Sequence, residues 1–123
     1  MGVDKIKELK RFPECDGHIE SILIGCRMAK VSFQTWDTRE LVLIYDDVDS
    51  VKEQNSVFGD ISEYTISKGE DGVFQYSFTD INDNVVLDIL ARSVRIFEVG
   101  EGSDINCALF NVGYEYIGRQ HLE

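Results

Sequence analysis

Six consecutive residues, Lys30 to Thr35, alternate strictly between two faces. Val31, Phe33 and Thr35 point one way; Lys30, Ser32 and Gln34 point the other. A period of two marks a strand with one buried and one wetted face, and such a strand needs both sheet neighbours and a cover for its apolar side. A turn at Asp37-Thr38-Arg39 follows, and Glu40 to Tyr45 returns as a second strand. The whole stretch from His18 to Tyr45 is rich in Val, Ile, Phe, Trp and Tyr and contains no proline.

The same alternation recurs elsewhere. His18 to Cys26 alternates and then becomes apolar on both faces at Ile22-Leu23-Ile24, which predicts a second layer over that part of the sheet. Val57 to Ile66 reads as a strand. Val73 to Thr79, with Phe74, Tyr76 and Phe78 on one face, turns at Asp80-Ile81-Asn82-Asp83-Asn84 into Val85 to Ala91. Val94 to Val99 and Asn106 to Tyr116 are further strands. Two segments break the pattern. Val3, Ile6, Leu9 and Phe12 are spaced by three, which predicts a short helix over residues 3–12 ended by Pro13; Val48 and Val51 are spaced by three among charges, which predicts a helical turn within Asp46–Glu53. The expected architecture is mainly β: seven to nine strands in an antiparallel β-sandwich or partly open β-barrel, with a short N-terminal helix.

At 123 residues the chain is sized for one domain, expected over 1–121, with Leu122-Glu123 read as an expression-tag remnant. No apolar run reaches the roughly 18–20 residues of a membrane span, and MGVDKIKELKRF lacks a signal-peptide core, so a cytoplasmic location is expected. Three widely spaced cysteines (Cys15, Cys26, Cys107) fit a reducing compartment better than a disulfide framework.

The formal charge is −11, from 23 acidic and 12 basic side chains. Such a surface repels phosphate backbones and attracts basic partners, so nucleic acid is disfavoured and a basic protein is the partner the charge suits. The bland reading is solubility alone, which the same charge also serves.

Catalytic and metal motifs fail on inspection. Cys15-Asp16-Gly17-His18 has the spacing of half a zinc site, but no second pair completes four ligands. Cys26 and Cys107 have no histidine placed beside them in sequence. Asp80-Ile81-Asn82-Asp83-Asn84 imitates the opening of a calcium loop, yet Val85 stands where the sharp-turn glycine belongs and Ala91 where the bidentate glutamate belongs. Phosphate-binding loops, the nucleophile elbow and H-E-x-x-H are absent from the sequence. No catalytic residue, metal or cofactor is expected.

The order FPECDGHIESILIG followed by VSFQTWDTRELVLIYDDVDSV resembles small bacterial immunity proteins of polymorphic-toxin systems and their relatives. The matching residues are Phe12, Asp16, His18, the Lys30–Tyr45 hairpin and Asp46-Asp47-Val48. Where that class more often has adjacent His-Asp, this chain has Asp16-Gly17-His18. The resemblance covers about the first half of the chain and implies a β-rich binding protein without enzymatic activity. It carries no active-site residues.

Two function classes stay open beside a purely structural domain. One is an acidic binding or inhibitor protein for a basic partner, with its contact surface joining Trp36 and Arg39 at the hairpin tip to Asp46, Asp47, Asp49 and Glu53; Trp and Arg are enriched at binding hot spots. The other is a small-molecule-binding barrel or an enzyme with a pocket lined by Tyr64, Phe74, Tyr76 and Phe78. Oligomeric state is not legible.

Overall fold

The computed structural model describes residues 6–13, 16–57, 59–99 and 115–118. These residues form eight strands and no helix: β1 (Ile6–Leu9), β2 (Gly17–Gly25), β3 (Met28–Thr35), β4 (Glu40–Glu53), β5 (Asp60–Lys68), β6 (Phe74–Asp80), β7 (Val85–Val99) and β8 (Glu115–Gly118). All ladders between them are antiparallel. The path β7-β4-β3-β2-β5-β6 returns from β6 to β7, so the sheet closes on itself, with β1 added to β7 and β8 to β2. Closure depends on one short link. β2 meets β5 only at Gly17↔Ile61 and His18↔Asp60.

Alternation fills the inside of the ring. Val31 and Phe33 of β3, Leu41, Leu43 and Tyr45 of β4, Phe78 of β6, and Leu87 and Ile89 of β7 are fully buried in one cluster. Each large side chain contributes roughly 1.5–3 kcal/mol by leaving water. Phe12 packs into the same cluster, with its ring centroid 5.1 Å from Phe33 and 4.7 Å from Tyr64. A second, smaller cluster gathers Leu23, Val42, Ile44 and Val99. It accounts for the doubly apolar run Ile22-Leu23-Ile24, whose outer members lie with Ile19 in the main core while Leu23 joins the second cluster.

Three expectations are corrected. The helix over 3–12 is replaced, where residues are described, by β1: its register runs Ile6↔Val99 to Leu9↔Ile96. A helix of two or three turns is marginal alone, whereas a strand here satisfies the backbone of an otherwise open β7 edge. Residues 3–5 lie outside the described residues. The helical turn in Asp46–Glu53 is instead the second half of the 14-residue β4. Its spacing of three comes from a left-handed residue, Asp47 (φ 52°), and a bulge between Val48 and Ser50, which together bring Val48 and Val51 back to the core side. Val85–Ala91 and Val94–Val99 are one 15-residue strand, because β4 supplies a partner along its length. Of the strand expected over 106–116, only Glu115 and Tyr116 are described, within β8.

One buried polar contact tests the core. The Tyr45 hydroxyl, on a fully buried side chain, lies 3.1 Å from the Tyr64 hydroxyl. Burial pushes both phenols well above their ordinary range. Tyr64→Phe is expected to cost about 1–3 kcal/mol, since it strands the Tyr45 hydroxyl without solvent. Tyr45→Phe should cost less, because Tyr64 is only partly buried. The double Phe variant should recover most of the Tyr64→Phe loss. A double-mutant cycle by urea unfolding checks this, and additive losses would contradict it.

Candidate functional site

A groove of about 1070 Å³ opens at the mouth of the closed sheet. It is lined by residues 8–13, by residues 61–64 and Ile66 of β5, and by Val94–Ile96 of β7, with Asp16. It exists because β7 changes neighbours. Its first half pairs with β6 as far as Ala91, its last four residues pair with β1, and the stretch between them has neither on that side. Pro13, without an N–H, cannot extend β1 toward β5. The Trp36 N–H donates to the Asp16 carbonyl at 2.9 Å and draws the chain toward the β3–β4 turn instead.

The groove is amphipathic. Leu9, Phe12, Ile61, Tyr64, Val94 and Ile96 give it apolar surface, and Glu8, Lys10, Arg11, Asp16, Glu63 and Arg95 carry its charge. Arg95 is already engaged: Nε and a terminal nitrogen donate to the two oxygens of Asp46 at 3.0 and 3.1 Å. Ile66 on the β5 wall is 53% exposed, unusual for a large apolar side chain lining a cleft.

The hairpin-tip residues are held firmly. Trp36 is 73% exposed, on a turn whose backbone is tied by Thr38 N–H to the Thr35 carbonyl and Thr35 N–H to the Arg39 carbonyl, both 2.9 Å. The Thr35 hydroxyl oxygen accepts the Arg39 N–H at 2.9 Å and its proton goes to Asp37. That hydroxyl, more than the adjacent Arg39, holds the Asp37 carboxyl below its ordinary range. Asp46, Asp47 and Asp49 follow one another along β4. Asp46 is paired with Arg95, Asp47 sits 3.8 Å from Arg27, and Asp49 lies at the bulge and is exposed. Glu53 accepts both the backbone N–H and the hydroxyl of buried Ser56 at 2.8 Å, so its carboxylate braces the exit of β4. Val42 and Ile44, both buried in the second cluster, occupy β4 between the tip and Asp46. The three aspartates are thus neighbours in sequence on β4 with different partners, Asp46 with Arg95 and Asp47 with Arg27, and buried Val42 and Ile44 lie on the strand between them and the tip.

Of Tyr64, Phe74, Tyr76 and Phe78, only Tyr64 reaches the groove; Tyr76 and Phe78 are buried in the core. His18 lies 3.4 Å from Glu20, whereas Cys15 lies outside the described residues. Asp80 Oδ1 accepts the backbone N–H groups of Asn82 and Asn84, at 2.8 and 2.9 Å, so it serves the turn. Among the described residues no three His, Cys, Asp or Glu side chains gather as a metal site, and no helix is long and apolar enough to cross a membrane. Leu9, Phe12, Glu63, Ile66, Val94 and Ile96 carry no local sequence motif. Only the Phe12-Pro13 break, read as the end of a helix, marked a change in the course of the chain there.

Glu40 offers a pH test. Desolvation raises its pKa first and the nearby Glu20 carboxylate raises it further, against a smaller opposing effect of Lys30. The folded chain thus holds the Glu40 proton more tightly than the unfolded one. The stability this supplies is present below the ordinary glutamate range and is lost as pH rises through the raised pKa. Glu40→Gln should therefore stabilise at about pH 7 and change little at about pH 3. Urea melts at both pH values check it, and an equal shift at both would refute it.

No family model, curated protein or solved structure matches the chain.

Proposed function

We propose that this chain is a non-enzymatic binding protein whose ligand lies in the groove at the mouth of the sheet. The observation that carries the reading is the groove itself: a cleft of about 1070 Å³ lined by both apolar and charged side chains, with an exposed isoleucine among them. Clefts of that size and make-up at barrel mouths suit ligands held by apolar contact and oriented by a few polar groups. Immobilised wild-type protein, Ile66→Arg and Ile81→Arg test it against native cell extract, with retained proteins and small molecules read by mass spectrometry. Ile81 is 65% exposed and outside the groove lining, so its variant controls for loss of any apolar surface. A ligand kept by wild type and Ile81→Arg but lost by Ile66→Arg is expected; one kept equally by all three would overturn the site.

A second reading is favoured by Trp36, a 73% exposed aromatic on a braced turn. In it the chain is an immunity-type inhibitor of a basic protein, anchored by Trp36 and Arg39 and steered by Asp46, Asp47, Asp49 and Glu53. Neutralising the three aspartates should slow association and flatten its salt dependence, while Trp36→Ala should mainly speed dissociation. Stopped-flow binding of the captured partner across a salt series separates the two effects. Salt-insensitive association would remove this surface from consideration.

A further inference from the structure

We infer that the mouth groove takes one extended polypeptide segment, added as a strand to the free edge of β5, with apolar side chains at alternate positions and basic ones between. This rests on the groove being the ligand site.

The edge is the first argument. β5 pairs with β6 from Ile61 to Lys68, but on its other side it meets only Gly17 and His18 of β2, opposite Ile61 and Asp60. From Ser62 to Lys68 that edge has no strand partner among the described residues, and every residue in it except Tyr64 is exposed. Alternate backbone N–H and C=O groups along about 23 Å thus have no ladder partner among the described residues, the arrangement onto which an extended peptide adds as a strand. Antiparallel to β5, the next partners beyond Gly17 would be Asp16 and the residues before it. The Trp36 N–H donates to the Asp16 carbonyl, which ties Asp16 to the end of β3, and Pro13 has no N–H to give to a ladder.

The walls select the occupant. A strand lies about 4.8 Å from its neighbour, and residues 8–13 line the same groove as β5. A single segment brings one strand to that edge, whereas the sheet edge of a second copy brings further strands with it. Tyr64 and Ile66 both line the groove, so an apolar residue facing them would cover the exposed Ile66.

Charge sets the sign. With Arg95 committed to Asp46, the rim offers Glu8, Asp16 and Glu63 against Lys10 and Arg11, an excess of acid on a chain of −11. A basic segment is attracted at long range and finds carboxylates at the rim.

The probe is a fluorescein-labelled, end-capped heptapeptide of alternating Lys and Val, followed by fluorescence anisotropy with the full chain. Two analogues are N-methylated, one at every valine and one at every lysine, and a third replaces lysine with glutamate. A strand presents its N–H groups alternately to opposite edges, so only one N-methylated analogue should lose affinity, by at least about tenfold, the other binding as the parent does. Saturable one-to-one binding of the parent, weakened several-fold by Ile66→Asn and lost with the glutamate analogue, is the expected result. If both N-methylated analogues bind like the parent while Ile66→Asn still weakens all three, strand addition is wrong and the groove reading survives. If Ile66→Asn changes nothing either, the groove reading falls with it. Absence of saturable binding by the parent overturns the inference, as does equal binding of the glutamate analogue. Sedimentation equilibrium showing a dimer that Ile66→Asn dissociates would assign the edge to a second copy and overturn it too.

Discussion

Gly17→Ala is expected to open the closed sheet. A Cβ at Gly17 would lie 2.2 Å from the Gln34 carbonyl oxygen and 2.6 Å from Cε1 of the Phe33 ring. The position calls for the absence of a side chain rather than a left-handed backbone. Gln34 sits in β3, paired on both sides, to His18 of β2 and Glu40 of β4, so its carbonyl has little freedom to retreat. Gly17 is also one of the two residues through which β2 reaches β5, so relieving the clash pulls on the narrowest link of the ring. The loss should reach or exceed the about 1–3 kcal/mol typical of overpacking, a large share of the roughly 5–15 kcal/mol that holds a domain together. Urea unfolding measures the loss. Amide exchange should show protection falling first at Gly17, His18, Asp60 and Ile61. Wild-type stability in the alanine variant would mean that the strands part there at no cost.

The other large effect is expected at Phe33. Its side chain is fully buried, and its ring meets Phe12 edge-on at 5.1 Å and Phe78 at 6.2 Å. Phe33→Ala should cost about 3–5 kcal/mol from lost transfer and the cavity left behind. Combining it with Gly17→Ala gives a sharper result. Removing the ring clears two of the three atoms nearest the new Cβ but leaves the Gln34 carbonyl. The double variant should therefore be less stable than either single variant, yet more stable than their sum by about 0.5–3 kcal/mol. Strict additivity would show that the ring is not part of the obstruction.

Phe33 and Gly17 also mark where local sequence stops being informative. The alternation from Lys30 to Thr35 put Phe33 on a buried face, and the structure buries it completely, but it also buries Lys30 and Ser32, which the alternation put on the wetted face. Nothing around Gly17 in sequence announces that a Cβ would strike a carbonyl one strand away, because that contact arises only from register. The same holds for spacings of three. Val48 and Val51 alternate with charges as a helix would, yet a left-handed Asp47 and a bulge produce the same spacing in a strand. Spacing alone cannot tell a helix turn from a strand with one extra residue.

What the sequence determined by itself was the antiparallel β character, the two central hairpins, the turn at Asp80–Asn84 and the face on which most core residues lie. Those follow from side-chain period and turn chemistry, both of which act over a few residues. The tertiary structure decided that residues 6–9 pair as a strand, that β7 runs unbroken, that the sheet closes through two residue pairs, and that a groove opens where β1 and β5 fail to meet. The groove is lined from three separated stretches, and its β5 wall is an edge without a further strand neighbour among the described residues. An unfilled place in a ladder leaves no mark on the residues beside it, so only the assembled sheet reveals it.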